Sequence, residues 1–181
     1  VDAGVCGFKC FLAPSGVDEF RHVDENDLRQ ALPVLAKRNV PLLVHAETPA
    51  LLKSFQTATS QPTHQTVPDY QTYLATRPPE AEVDAIRMMI RLAEEFAVLT
   101  HIVHVSAAAA LEDLARAQSD GVPVTAETCP HYLTFAAEEV PDGATEFKCA
   151  PPVRQASNRD ALWDGLGSGG LGLLVTDHSP S

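Results

Sequence analysis

Short apolar runs alternate along the chain with longer stretches in which apolar residues recur at the helical period. Residues 5–12 (VCGFKCFL) read as a strand, closed by the turn formers Pro14, Ser15 and Gly16. Residues 24–38 follow as a helix with Leu28, Leu32 and Leu35 on one face and Asp24 as N-cap. Pro33 inside it is expected to kink or divide that helix. Residues 40–46 (VPLLVHA) form a second strand. Residues 49–79 are polar and irregular, dotted with Pro, Thr and Gln, and predict a long functional loop, a lid or a subunit contact. Residues 80–97 give the clearest helix, with Val83, Ile86, Ile90, Ala93 and Ala97 on one face. A strand over 98–105, an Ala-rich helix over 107–118 and a strand over 122–127 come next. A helix over 157–166, opened by Ser157 and Asp160 as a capping-box pair and stopped by Gly167, leads to a last strand over 171–176.

Strand and helix in regular alternation predict an α/β fold with a parallel sheet and helical crossovers. The strands are continuously apolar, as expected where both faces are buried. A barrel and a doubly wound sheet fit equally well. The 181 residues suffice for one domain with a sizeable core. No apolar run approaches the roughly 18 residues of a membrane span. The net charge of −11, with its acid excess spread along the chain, argues against nucleic acid, whose phosphates need clustered Lys and Arg. Cys6, Cys10, Cys129 and Cys149 form no C-x-x-C and read as reduced core thiols of a cytoplasmic protein. The opening on a strand without an initiator Met, and the stop inside VTDHSPS, read as cut ends.

Four reactive side chains fall at or near strand ends: Lys9 in GFKCF, His45 in LLVHAE, His104 in HIVHVS and Asp177 in LVTDH. Function gathered at the carboxyl ends of several strands is the pattern of a (β/α)8 barrel. Two imidazoles and a carboxylate suit a divalent transition metal. Lys9 does not, since an ammonium with a pKa near 10.4 is a cation. His101 and His104 form H-x-x-H, but residues three apart on a strand face opposite ways, so His104 is taken for the site and His101 for structure. The string GSGGLG (167–172) follows a helix and precedes a strand, the reverse of the dinucleotide-binding context.

The stretches GFKCFLAPSGVDEF (7–20), LLVHAE (42–47), YLATRPPEAEVDAI (73–86), HIVHVS (101–106), AETCPHYLTF (126–135), FKCAPPVR (147–154) and VTDHSPS (175–181) carry a resemblance. In that order they resemble the cyclic amidohydrolases, the superfamily of dihydroorotase, dihydropyrimidinase (hydantoinase) and allantoinase. GFKCFL with SGVDEF, and YL-x-x-RP with Glu82 downstream, look most like the allantoinases, and a hydantoinase more often carries Gln where His131 stands.

The resemblance implies a TIM-type (β/α)8 metal-dependent hydrolase barrel, of which residues 1–181 would be a partial catalytic domain holding about strands four to eight. It implies two divalent metal ions, zinc before cobalt, manganese or iron, bridged by N6-carboxylated Lys9. His45 and His104 would be ligands of the second metal, and Asp177 a ligand of the first and the general acid/base. Cys149, Pro151, Arg154 and Ser179 are the candidate substrate contacts. The implied reaction is hydrolysis of the hydantoin ring of allantoin to allantoate by a homotetramer in the cytoplasm. The family's H-x-H pair is absent and expected upstream, since a whole barrel needs about 250 residues. Alone, the segment is expected to be inactive. A hydantoinase-type specificity and a non-catalytic scaffold are the rival readings.

Overall fold

The computed structural model describes residues 1–52 and 69–178. Strand β1 (Phe8–Phe11) leads through α1 (Glu25–Arg38) to β2 (Leu42–His45). Helices α2 (Tyr70–Ala75) and α3 (Pro79–Phe96) precede β3 (Thr100–Ile102), and α4 (Leu111–Ser119) precedes β4 (Val124–Thr128). The short α5 (Pro130–Thr134) and the longer α6 (Ala156–Ser168) lead to β5 (Leu173–Leu174). The strands lie in the order β1-β2-β3-β4-β5, and every neighbouring pair is parallel. The alternation expected from the sequence is therefore the one observed.

Asp24 caps α1 as expected: its carboxylate accepts from the Asp27 amide, while the Asp27 carboxylate accepts from the Asp24 amide. Pro33 does not divide the helix, which runs unbroken to Asn39. Pro33 sits on the exposed face, where water can take the carbonyl that its missing N–H leaves free. The capping of α6 differs from expectation. No side chain of its own first turn caps it; the Glu138 carboxylate accepts from the Ala156 amide at 3.1 Å instead. The helix passes through Gly167 and ends at Gly169, whose φ of +85° suits glycine. Helix α2 falls inside the stretch read as irregular, started by Asp69, which accepts from the Gln71 amide; residues 53–68 of that stretch lie outside the described residues.

Strand side chains alternate. Leu42, Val44, Ile102, Val124 and Ala126 point into a core with Leu32 of α1, Ile86, Met89 and Leu92 of α3, Leu114 of α4 and Leu162 of α6. Each large apolar side chain buried there contributes roughly 1.5–3 kcal/mol. The opposite face is not apolar throughout: it carries Lys9, His45, His101, Thr125 and Glu127. Of these, His45 and Glu127 are buried and Lys9 and Thr125 exposed, and among the described residues the helices lie against the other face. Phe8, Leu173 and Leu174 remain substantially exposed. The four cysteines are free, but Cys129 alone is fully buried, and Cys6 is exposed rather than in the core. Among the described residues no helix is long and apolar enough to cross a membrane.

Candidate functional site

His45 is the last residue of β2, and His104 follows the end of β3 by two residues in a left-handed backbone conformation, φ +43°. That turn brings the rings together: His45 Nδ1 lies 3.1 Å from His104 Nε2. Lys9 and Phe11 share one face of β1 by the two-residue period of a strand. Lys9 Nζ lies 5.3 Å from the Phe11 ring centroid, and the Phe11 and His45 rings are 5.4 Å apart. Asp177, also left-handed at φ +45°, is exposed just beyond β5. Its charge reaches His131 and Cys129.

The His45 ring is oriented from behind. Its Nε2 lies 2.7 Å from Glu47 Oε2, and Arg77 Nη1 donates to the same oxygen at 2.5 Å. Burial pushes the Glu47 carboxyl up, but the His45 hydrogen bond and the Arg77 charge outweigh it and hold the group below its usual range. In the neutral tautomer that donates Nε2–H to this carboxylate, the lone pair of His45 would be on Nδ1, the atom facing His104. Sequence reasoning passed over Glu47 and Arg77. Glu47 was detectable, because positions 45 and 47 share the phase of an extended chain.

Burial, aided by the charges of His45 and Lys9, pushes His104 down to about 3, so the ring is neutral. Burial lowers His131 also, against the opposing pull of Asp177. Among the described residues, His104 Nδ1 and Glu47 Oε1 are buried with no hydrogen-bond partner. In the metal-free protein the His104 shift makes acid destabilising. The folded ring titrates well below its ordinary value, so under pH 6.5 the unfolded chain binds the extra proton and stability falls as pH falls. At 1.36 kcal/mol per unit the loss on going to pH 4 is about 3 kcal/mol. Urea midpoints taken with a chelator near pH 7 and near pH 4 check this; equal midpoints would contradict a neutral buried His104.

Two nitrogens on one tetrahedral zinc ion, each at about 2.0–2.1 Å, stand about 3.3 Å apart. The His45–His104 separation of 3.1 Å fits that span, and neutral imidazole is the ligating form. The pair therefore fits half of a metal's ligand set. Among the described residues no group of three or more His, Cys, Asp or Glu side chains is arranged to hold an ion.

The remaining candidates divide. Cys149 and Pro151 lie on a strap, residues 149–154, held by its carbonyls: Tyr73 donates to Cys149, Tyr132 to Pro151, Ser106 to Pro152 and Tyr70 to Val153. Burial raises the Cys149 thiol to about 11. Arg154 is turned into the protein, only 4% exposed. Its Nε and Nη2 donate to Glu82 Oε1 at 3.2 and 2.5 Å, and its Nη1 to the Arg77 carbonyl at 3.0 Å. Ser179 lies outside the described residues. His101 is away from the pair, bonded to Thr125 Oγ1 at 2.7 Å and Glu127 Oε2 at 2.8 Å.

The fold is shared with solved cyclic amidohydrolases. An L-hydantoinase (dihydropyrimidinase) from Arthrobacter aurescens superposes with a TM-score of 0.87 at 30% identity, covering 98% of this chain and 39% of that one. Dihydropyrimidinase from Brevibacillus agri gives 0.87 at 30%, over 99% and 38% of the two chains. No protein-family model matches the chain. The sheet and its crossovers are part of the TIM-barrel fold of cyclic amidohydrolases. Within that superfamily the chain is homologous to the allantoinases along its whole length. It is 47% identical over 180 residues to the allantoinase of Streptomyces avermitilis and 44% over 183 residues to that of Saccharomyces cerevisiae. Each match covers 99% of this chain, which spans 39% of the length of those relatives. A mitochondrial allantoinase of Aquarana catesbeiana is 43% identical over 180 residues.

Proposed function

We propose that this chain supplies part of the active site of an allantoinase, which opens the hydantoin ring of allantoin to allantoate in purine breakdown. The observation that carries this reading is the buried His45–His104 pair at metal-ligand spacing on the ends of adjacent strands, in a chain homologous to allantoinases. Residues 1–181 would form a partial barrel domain, about strands four to eight, completed by a segment bearing an H-x-H pair. His45 and His104 would hold one divalent ion, zinc first among the candidates. Lys9, once its amine captures carbon dioxide as a carbamate, would hold both ions, and Asp177 the other. Ions bound there supply Lewis acidity, which makes hydroxide available near neutral pH and polarises the scissile carbonyl.

The side chains do the rest. Glu47 fixes the His45 ring so that Nδ1 faces the ion. The Asp177 carboxylate would take a proton from the attacking water and return it to the leaving ring nitrogen. Cys149, Pro151 and Ser179 would border the substrate, with the strap's carbonyls already occupied and its shape fixed. Arg154 would act from behind that strap. A cytoplasmic homotetramer is the assembly proposed; a relative named mitochondrial marks the alternative compartment.

The 30% identity to solved hydantoinases favours a second reading, a dihydropyrimidinase-type specificity at the same centre. Allantoin, hydantoin, dihydrouracil and dihydroorotate offered to the full natural chain with added zinc separate the two. Allantoin is expected to have the highest kcat/KM by at least about tenfold, a transition-state difference of about 1.4 kcal/mol. Preference for dihydrouracil or hydantoin would move the assignment to the second reading, and turnover of none would end both.

A further inference from the structure

Of the stretches that carry the resemblance, Arg77 and Glu82 have no part in the chemistry above, and Arg154 has only a place behind the strap. All three sit in one chain of hydrogen bonds, joined through the covalent length of Arg77, that starts at one imidazole and ends two residues past the other. From His45 Nε2 it passes to Glu47 Oε2, which also accepts from Arg77 Nη1. The Arg77 carbonyl accepts from Arg154 Nη1, and Arg154 donates through Nε and Nη2 to Glu82 Oε1. Glu82 Oε2 accepts from the amides of Ser106 at 2.9 Å and Ala107 at 3.1 Å. Ser106 lies two residues beyond His104.

We propose that the buried Arg154–Glu82 pair, jointed to Glu47 through Arg77, is a positioning brace that sets His45 and His104 at the spacing one metal ion requires. Glu82 is 1% exposed and Arg154 4%. Ions so deeply buried are seldom needed for stability, because a well-packed apolar pair of similar volume folds a protein as well. What leucine and methionine cannot do is fix direction. The Glu82 carboxylate pins the Ser106 and Ala107 amides, two and three residues past His104, and the planar guanidinium spans a carboxylate and a carbonyl at once, which a lysine ammonium does not. Spacing matters because a metal site works only when its ligands are held within about 0.5 Å of the productive geometry. The His45–His104 contact joins the two ends, so the ring held by Glu47 and the segment held by Glu82 bear on one another. This inference rests on the proposed metal centre for its purpose, though not for its test.

The test uses the full natural chain and two variants, Arg154→Lys and the volume-matched double variant Glu82→Leu/Arg154→Met. The first readout, on metal-free protein, is the assigned 15N resonances of the His45 and His104 rings, which report tautomer and hydrogen bonding. The second is cobalt(II) affinity, followed by visible absorption. In both variants the imidazole resonances are expected to move, and cobalt affinity to fall about 10- to 100-fold, the usual cost of losing a partner that orients a ligand. The double variant is expected to unfold cooperatively, which separates positioning from loss of fold. Unmoved imidazole resonances in the folded double variant would overturn the brace, whatever the metal does. If the wild-type chain took up no cobalt while the resonances still moved, the brace would stand and the metal-centre reading would fall.

Discussion

Asp177→Asn in the full natural chain is expected to lower kcat for ring opening by about 10²- to 10⁴-fold, the range that one positioned acid/base group contributes. Asparagine keeps the shape and tolerates the left-handed backbone at φ +45°. It cannot take a proton at pH 7 and give it back to nitrogen. The same change removes a proposed anionic ligand, so metal content must be measured beside kcat. Loss of turnover at full metal occupancy assigns the defect to proton transfer; loss with the metal assigns it to ligation. Variant kcat within threefold of wild type at full occupancy would remove Asp177 from the mechanism.

Glu82→Ala alone is expected to cost about 3–5 kcal/mol of stability, because it leaves the Arg154 guanidinium buried without its counter-ion. It also strips the acceptor from the Ser106 and Ala107 amides. Against a total stability of roughly 5–15 kcal/mol that is a large fraction, and the melting temperature should fall on the order of 10 °C. Thermal unfolding beside wild type measures it. The Glu82→Leu/Arg154→Met pair should recover the part of the loss that comes from the unpaired charge, since it removes both charges together, but not the part from the Ser106 and Ala107 amides. A single variant melting within a degree or two of wild type would show that water reaches the Arg154 site and solvates it.

What the sequence discloses depends on how far apart the interacting residues are. The alternation of apolar runs with helical periods is local, and it yields the parallel order that the structure has. The Asp24 cap and Asp27 lie within one turn and are legible for the same reason. The cap of α6 is not, because its acceptor, Glu138, comes from another segment while Ser157 and Asp160 offer a local pair that never forms. Pro33 misleads in the same way: its cost depends on whether water can reach the freed carbonyl, which is a property of the packed surface.

The candidate site follows the same division. His45 and His104 are visible as strand-end residues, and resemblance gathers them with Lys9 and Asp177. That Arg154 faces inward to Glu82 rather than outward is set across 72 positions of chain and has no local sign. Short-range periodicity could have found Glu47 beside His45. Nothing short of the fold could have tied either to Arg154.

The backbone at His104 and Asp177 has a further consequence. Both are non-glycine residues held with φ above +40°, a conformation that costs a side-chain-bearing residue free energy that glycine escapes. The backbone alone thus favours glycine at both positions, though at buried His104 the loss of the ring would offset it. At Asp177 a glycine would relax the turn. A library screened only for heat resistance should therefore drift toward glycine there, gaining melting temperature while the ring-opening reaction disappears.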